Sequence, residues 1–205
     1  MNKARIAVLV SGGGTNLQAL LDAEKAGRIP HGTIRLVVSN KADAYALTRA
    51  ERAGVETLTF TRGGCGGQEG LEAALAAALE EREIDLIILA GFMSILSADF
   101  TRRFEGRIIN IHPSLIPSFC GKGFYGLKVH EAALRCGVKV TGATVHFVNE
   151  IPDGGRILLQ KAVPVLPGDT PQQLQRRVME QAEWVILPEA AELVSSEIIK
   201  RKDLA

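Results

Sequence analysis

A set of short apolar runs, each leading into helical periodicity, constrains this chain more than any other feature. Ile6-Ala7-Val8-Leu9-Val10 holds no polar residue, and Asp85-Leu86-Ile87-Ile88-Leu89-Ala90 holds one, at its start. Ile34-Arg35-Leu36-Val37-Val38, residues 55–60 and Arg107-Ile108-Ile109 complete the set. A strand apolar at consecutive positions is covered on both faces, as in a parallel sheet between helical layers. The intervening stretches 17–24, 43–52, 71–82 and 97–104 carry helical spacing. This alternation predicts four or five parallel strands with helices between them, a doubly wound α/β sheet.

The pattern changes after Val138. Val140, Gly142, Thr144 and His146 alternate with Thr141, Ala143, Val145 and Phe147. Period two predicts a half-covered, antiparallel strand. Ile151-Pro152-Asp153-Gly154-Gly155 is a strong turn signal, and residues 157–165 return as a strand. Asp169-Thr170-Pro171 opens the last helical stretch, with Pro188 expected to break it. A chain of 205 residues fits one domain, with no boundary sharper than that near residues 103–106.

Composition excludes several classes. With 24 basic and 23 acidic residues the net charge is +1, no footprint for nucleic acid or an anionic membrane. The trio Lys200-Arg201-Lys202 fits a helix C-terminus. Cys65, Cys120 and Cys136 lack C-x-x-C spacing, so reduced thiols in a cytoplasmic protein are expected, without a zinc knuckle. The apolar run near the N-terminus is too short for a signal peptide or a membrane span.

Three places carry chemistry. Ser11-Gly12-Gly13-Gly14-Thr15-Asn16 follows the first strand and opens a helix, with Thr15 and Gln18 as a capping box and Gly27 as the stop. A tight turn needs glycine on structural grounds alone, but such a helix start also presents free N–H groups to a phosphate. Leu17 stands where a dinucleotide fingerprint needs its third glycine, and no Gly-Lys-Ser/Thr follows, so a single phosphate monoester is the better fit. The segment 91–96 is apolar for a loop, which suits core packing or the wall of a slot for a flat aromatic ligand. In Asn110-Ile111-His112-Pro113-Ser114 a strand ends at a proline, so Asn110 and His112 face one spot at the sheet's C-terminal edge. Ser114 lacks a nucleophile-elbow context. Asn110, His112 and a carboxylate such as Asp153 suit oxyanion stabilisation and proton transfer without a covalent enzyme intermediate. Residues 118–126, rich in glycine and aromatics, are expected to form a mobile surface loop.

These motifs, together with Ser39-Asn40-Lys41-Ala42-Asp43-Ala44, Ala90-Gly91-Phe92-Met93 and Gly142-Ala143-Thr144-Val145-His146-Phe147-Val148, resemble the folate-dependent glycinamide ribonucleotide formyltransferases. The resemblance spans most of the chain. It implies a Rossmann-like formyltransferase domain over residues 1–205, with a phosphate-binding half (1–104) and a catalytic, folate-binding half (105–205). The implied reaction moves the formyl group of 10-formyltetrahydrofolate, a cosubstrate, to the amine of glycinamide ribonucleotide in purine synthesis, without a metal. It makes His112 the general acid, Asn110 the ligand of the formyl oxygen and Asp153 the group that orients His112. It gives the ribonucleotide phosphate to Gly14, Thr15 and Asn16, and the ribose to Glu183. It gives the folate to Met93, Ser94, Ile95 and Leu96, to Asn110, and to Asn149, Glu150, Ile151, Pro152 and Asp153. The implied partners are small molecules only, in a monomer or homodimer. Ser94 and Gln68 stand where the family commonly has Arg, residues 118–126 are longer than usual, and the spacing at residues 179–184 differs by one, with Trp184 in place of a common His. Formyltetrahydrofolate deformylase, a hydrolase on the same core, is the alternative, though that family usually carries an additional N-terminal regulatory domain.

Overall fold

A computed structural model of the chain describes residues 3–204. Seven strands form one sheet in the order β3-β2-β1-β4-β5-β6-β7. β1 (Ala4–Val10), β2 (Gly32–Ser39), β3 (Glu56–Thr59), β4 (Leu86–Leu89) and β5 (Ile108–His112) are mutually parallel. β6 (Val140–Phe147) and β7 (Ile157–Pro164) add antiparallel strands beyond β5. The mixed, doubly wound sheet read from the apolar runs is therefore present.

The alternation within β1 explains the layers. Ile6, Val8 and Val10 join the core cluster on one face, with α1 (Thr15–Lys25) and α7 (Trp184–Asp203). Ala7 and Leu9 join the other, with α3 (Gln68–Glu81) and α4 (Ala98–Arg103). Two faces each covered by helices require strands without polar alternation, as the sequence has. The remaining helices are α2 (Tyr45–Arg52), α5 (Leu127–Cys136) and α6 (Pro171–Val178). Lys200, Arg201 and Lys202 lie in the last turn of α7, where Lys202 Nζ meets Asp85 Oδ1 at 2.6 Å. Among the described residues no helix is long and apolar enough to cross a membrane.

Four expectations are corrected. Thr15 is not an N-cap: Gly14 holds that position without a side-chain cap, and Gln18 instead bonds Asp22 and Arg49. Pro188 does not break the last helix but lies buried within α7. Burial of its neighbours Ile186, Leu187, Ala190 and Ala191 on the sheet outweighs a local cost of about 3 kcal/mol. β6 is not half-covered, since Thr141 to His146 are all buried. Two of its polar side chains are bonded: Thr144 Oγ1 donates to Ser114 O at 2.7 Å and accepts from Ile116 N at 3.1 Å, and the His146 ring meets Asn110 and the Phe147 carbonyl, whereas the buried Thr141 hydroxyl has no partner among the described residues. The 118–126 loop is not free at its start, where backbone groups of Phe119 and Gly121 engage His112 and Asp153. The altered spacing near Glu183 coincides with a π-helical turn, Met179–Glu183, between α6 and α7. Such a turn takes in one additional residue without ending the helix.

Candidate active site

The strand order reverses at β1 and β4, and the site collects at the C-terminal ends of β1, β4 and β5. Loops from strands running in opposite directions along the order leave a crevice there. Gly12, Gly13 and Gly14 follow β1, residues 91–96 follow β4, and Asn110 and His112 end β5.

β5 sits between parallel β4 and antiparallel β6, so β6 contributes its own side chains. The register sets Asn110 opposite His146 and His112 opposite Thr144. Asp153 enters from the turn between β6 and β7, in a left-handed conformation with φ of 56°. Asp tolerates that region better than most side chains, and such residues concentrate at functional sites. Asp153 Oδ2 lies 3.5 Å from His112 Nδ1, and Oδ1 lies 3.5 Å from His146 Nε2. Gly121 N–H donates to Asp153 Oδ2 at 2.8 Å. His112 Nε2 donates to the Phe119 carbonyl at 2.9 Å. His146 Nδ1 donates to the Phe147 carbonyl at 2.8 Å, which leaves Nε2 to accept from Asn110 Nδ2 at 3.2 Å. The Asn110 amide is thereby fixed, with its second N–H free.

Sequence reasoning brought together Asn110, His112 and Asp153 and missed His146. The signal was the polar face His146 shares with Thr144, but only strand register sets it against Asn110. A β-bulge at Val145/His146 in the β6–β7 pairing adjusts its aim.

Burial pushes His112 below the usual imidazole range, opposed by the Asp153 charge and the Phe119 carbonyl. For Asp153 burial acts upward, but the rings of His146 and His112 and the Gly121 N–H hold the carboxyl below its usual value. Asp153 is therefore held as a carboxylate, and its charge favours a proton on His112. Ser114 is fully buried and donates to Ser118 O at 2.6 Å, so its hydroxyl has a structural partner.

Two cavities share this cluster. One, of about 560 Å³, is lined by Met93, Ser94, Ile95, Asn110, His112, Asp153 and the loop from Gly121 to Gly126. The other, of about 130 Å³, is lined by Leu89, Phe92, Ser94, Ile95, Leu96, Asn110, His146, Val148, Asn149, Glu150, Ile151, Pro152 and Asp153. Met93, Ile95 and Ile151 remain 54%, 67% and 60% exposed at this rim. Exposed apolar side chains beside convergent polar groups suit a flat organic ligand. Ser11 ties this wall to the glycine turn, its Oγ accepting from Met93 N at 2.7 Å and donating to Asn40 Oδ1 at 2.6 Å.

At the glycine turn, Gly14 has φ of 72°, and Asn16 Nδ2 donates to Glu183 Oε2 at 2.6 Å. Glu183 is buried, which raises its pKa, with the Asn16 bond opposing. Thus Glu183, Asn16 and Thr15 are neighbours, and Glu183 touches Asn16 directly. Among the described residues no group of three His, Cys, Asp or Glu side chains is arranged to hold a metal.

Comparison with known proteins agrees with this arrangement. A family model described as formyl transferase matches residues 4–191. A phosphoribosylglycinamide formyltransferase from Haemophilus influenzae is 45% identical over 90% of this chain and 84% of its own. A trifunctional purine biosynthetic protein adenosine-3 from Gallus gallus is 48% identical over 95% of this chain, which spans 19% of that longer protein. The crystal structure of glycinamide ribonucleotide transformylase 1 from Symbiobacterium toebii superposes with a TM-score of 0.88 at 46% identity, covering 95% of this chain and 89% of that one. A formyltetrahydrofolate deformylase from Pseudomonas putida has a TM-score of 0.81 at 30% identity, covering 93% of this chain and 65% of that one. The chain belongs to the formyl transferase family.

Proposed function

We propose that this protein transfers the formyl group of 10-formyltetrahydrofolate to the amine of glycinamide ribonucleotide, giving formylglycinamide ribonucleotide and tetrahydrofolate. The observation that carries the reading is the convergence of Asn110, His112, His146 and Asp153 on the boundary between two cavities. Its family membership and its 45% identity to a named phosphoribosylglycinamide formyltransferase support the choice of substrate. The deformylase reading needs only water in place of the amine, and the lower identity of 30% favours it less.

The folate ring enters between Leu89–Leu96 and Val148–Asp153, with Met93, Ile95 and Ile151 along its tail. Gly14, Thr15 and Asn16 hold the phosphate, and Glu183 holds Asn16 and reaches the ribose. The first half of the chain thus supplies the phosphate turn and one wall of the folate slot, and the second half the catalytic residues, the facing wall and Glu183. The amine attacks the formyl carbon, and the carbonyl oxygen becomes an oxyanion. The free Asn110 N–H and protonated His112 stabilise that charge. His112 gives its proton to the folate nitrogen, the oxyanion re-forms the carbonyl as the C–N bond to the folate breaks, and the proton lost by the amine restores the His112 charge. Asp153 holds His112 in its protonated form at the moment of need, and His146 holds Asn110.

Steady-state kinetics of Asn110→Ala test this assignment. Loss of one oxyanion donor lowers kcat about 10²–10³-fold, with both KM values changed far less. An unchanged kcat would remove Asn110 from the mechanism.

A further inference from the structure

The Gly12–Gly14 turn is held from outside by α2. Ala46 N–H donates to Gly12 O at 3.0 Å, and Arg49 Nε donates to Gly13 O at 2.8 Å. Arg49 Nη1 also donates to Gln18 Oε1 at 2.9 Å, so one guanidinium bridges the turn and the helix that follows it. A Cβ placed on Gly14 would lie 3.4 Å from Arg49 Cδ, and the Arg49 head lies over the Tyr45 ring at 5.0 Å. A guanidinium so stacked and bonded is held in place. Two consecutive carbonyls of the turn are thereby drawn toward α2. A cavity of about 170 Å³ lined by Thr15, Gln18, Ala19, Asp22, Arg49 and Trp184 lies alongside.

We infer that Arg49 is a positioning residue for the ribonucleotide phosphate. It acts through Gly13, keeping that carbonyl away from the anion, and adds a fixed positive charge beside it. Arg49 thus selects for a phosphorylated amine over the same amine without its phosphate. This rests on the phosphate assignment proposed above.

The test is kcat/KM for glycinamide ribonucleotide and for its dephosphorylated riboside, in wild type, Arg49→Met and Arg49→Lys. Wild type should prefer the ribonucleotide strongly. Arg49→Met should reduce that preference about ten- to a hundredfold, through the ribonucleotide KM rather than kcat. The folate KM should stay within about twofold, and Arg49→Lys should recover part of the preference because charge returns without the fork. An equal loss on both substrates, or a raised folate KM, would show a general structural role and overturn the inference. An unchanged preference in Arg49→Met would overturn it as well. A wild type that formylates the riboside as readily as the ribonucleotide would instead overturn the phosphate assignment itself.

Discussion

Asp153 faces two imidazoles and one backbone N–H, so its charge does more than close a turn. That charge raises the His112 pKa against the downward push of burial. Removing it lowers the His112 pKa further. If protonated His112 is the acid, rate falls as pH rises through that pKa, so Asp153→Asn should move the alkaline fall of kcat to lower pH. It should also lower the maximum about 10²-fold or more; a kcat–pH profile with its alkaline limb unmoved would contradict the assignment. His130 gives a separate, structural prediction. It is fully buried, neither ring nitrogen has a partner among the described residues, and burial lowers its pKa to about 4, with His112 adding to the shift. In the unfolded chain it takes a proton near pH 6.5. The unfolded state therefore binds more protons between these values, and stability falls as pH drops from about 6.5 to about 4, by on the order of 3 kcal/mol in total. Denaturant titrations across this window should show a shallower slope in His130→Leu than in the wild type. At this scale Asn110, His112 and Asp153 were legible because a strand ending at proline and a turn rich in glycine leave marks in sequence. His146 was not, because a polar residue in a buried strand reveals its partner only through register.

The glycine turn, the strands and the last helix differ in how local rules survive packing. At Gly14 an added Cβ would lie 2.6 Å from the Ala46 Cβ, and φ is 72°. Gly14→Ala should cost more than about 1 kcal/mol and weaken ribonucleotide binding, read by thermal unfolding and by KM. Normal stability and KM would mean that α2 yields freely. Thr170 caps α6, its side chain accepting from Gln173 N while Gln173 Oε1 accepts from Thr170 N. Thr170→Ala should cost about 1 kcal/mol in a denaturant titration. The start of α6 was readable in Asp169-Thr170-Pro171, because the cap and the proline at the first helical position act within one turn. The uncapped start of α1 was not, because the conformation of Gly14 and its contact with α2 replace a cap there. Pro188 reads as a stop in isolation, and only the buried face of α7 overrules it. The β6 strand was misjudged for a similar reason. Thr144 is bonded across to the 114–116 segment, which covers a face that period-two spacing assigns to solvent.

Across the whole molecule, the sheet does the positioning. The parallel strands deliver the glycine turn, the apolar 91–96 wall and Asn110 with His112 to one edge. The antiparallel pair brings His146 and Asp153 back to that edge from the other direction. Continuous apolar runs made the parallel part legible. Closure of the site by β6, the 151–155 turn and the start of the 118–126 loop depends on contacts between distant segments, which no local pattern encodes. The proposed reaction passes a formyl group to an amine and withholds it from water. The most direct measurement follows tetrahydrofolate, formylated ribonucleotide and free formate from 10-formyltetrahydrofolate, with and without glycinamide ribonucleotide, beside His112→Ala. Tetrahydrofolate should be released only with the ribonucleotide, in one-to-one step with formylated product, and the variant should lose this release. Equal release without the ribonucleotide, recovered as formate, would contradict the account and make the protein a hydrolase.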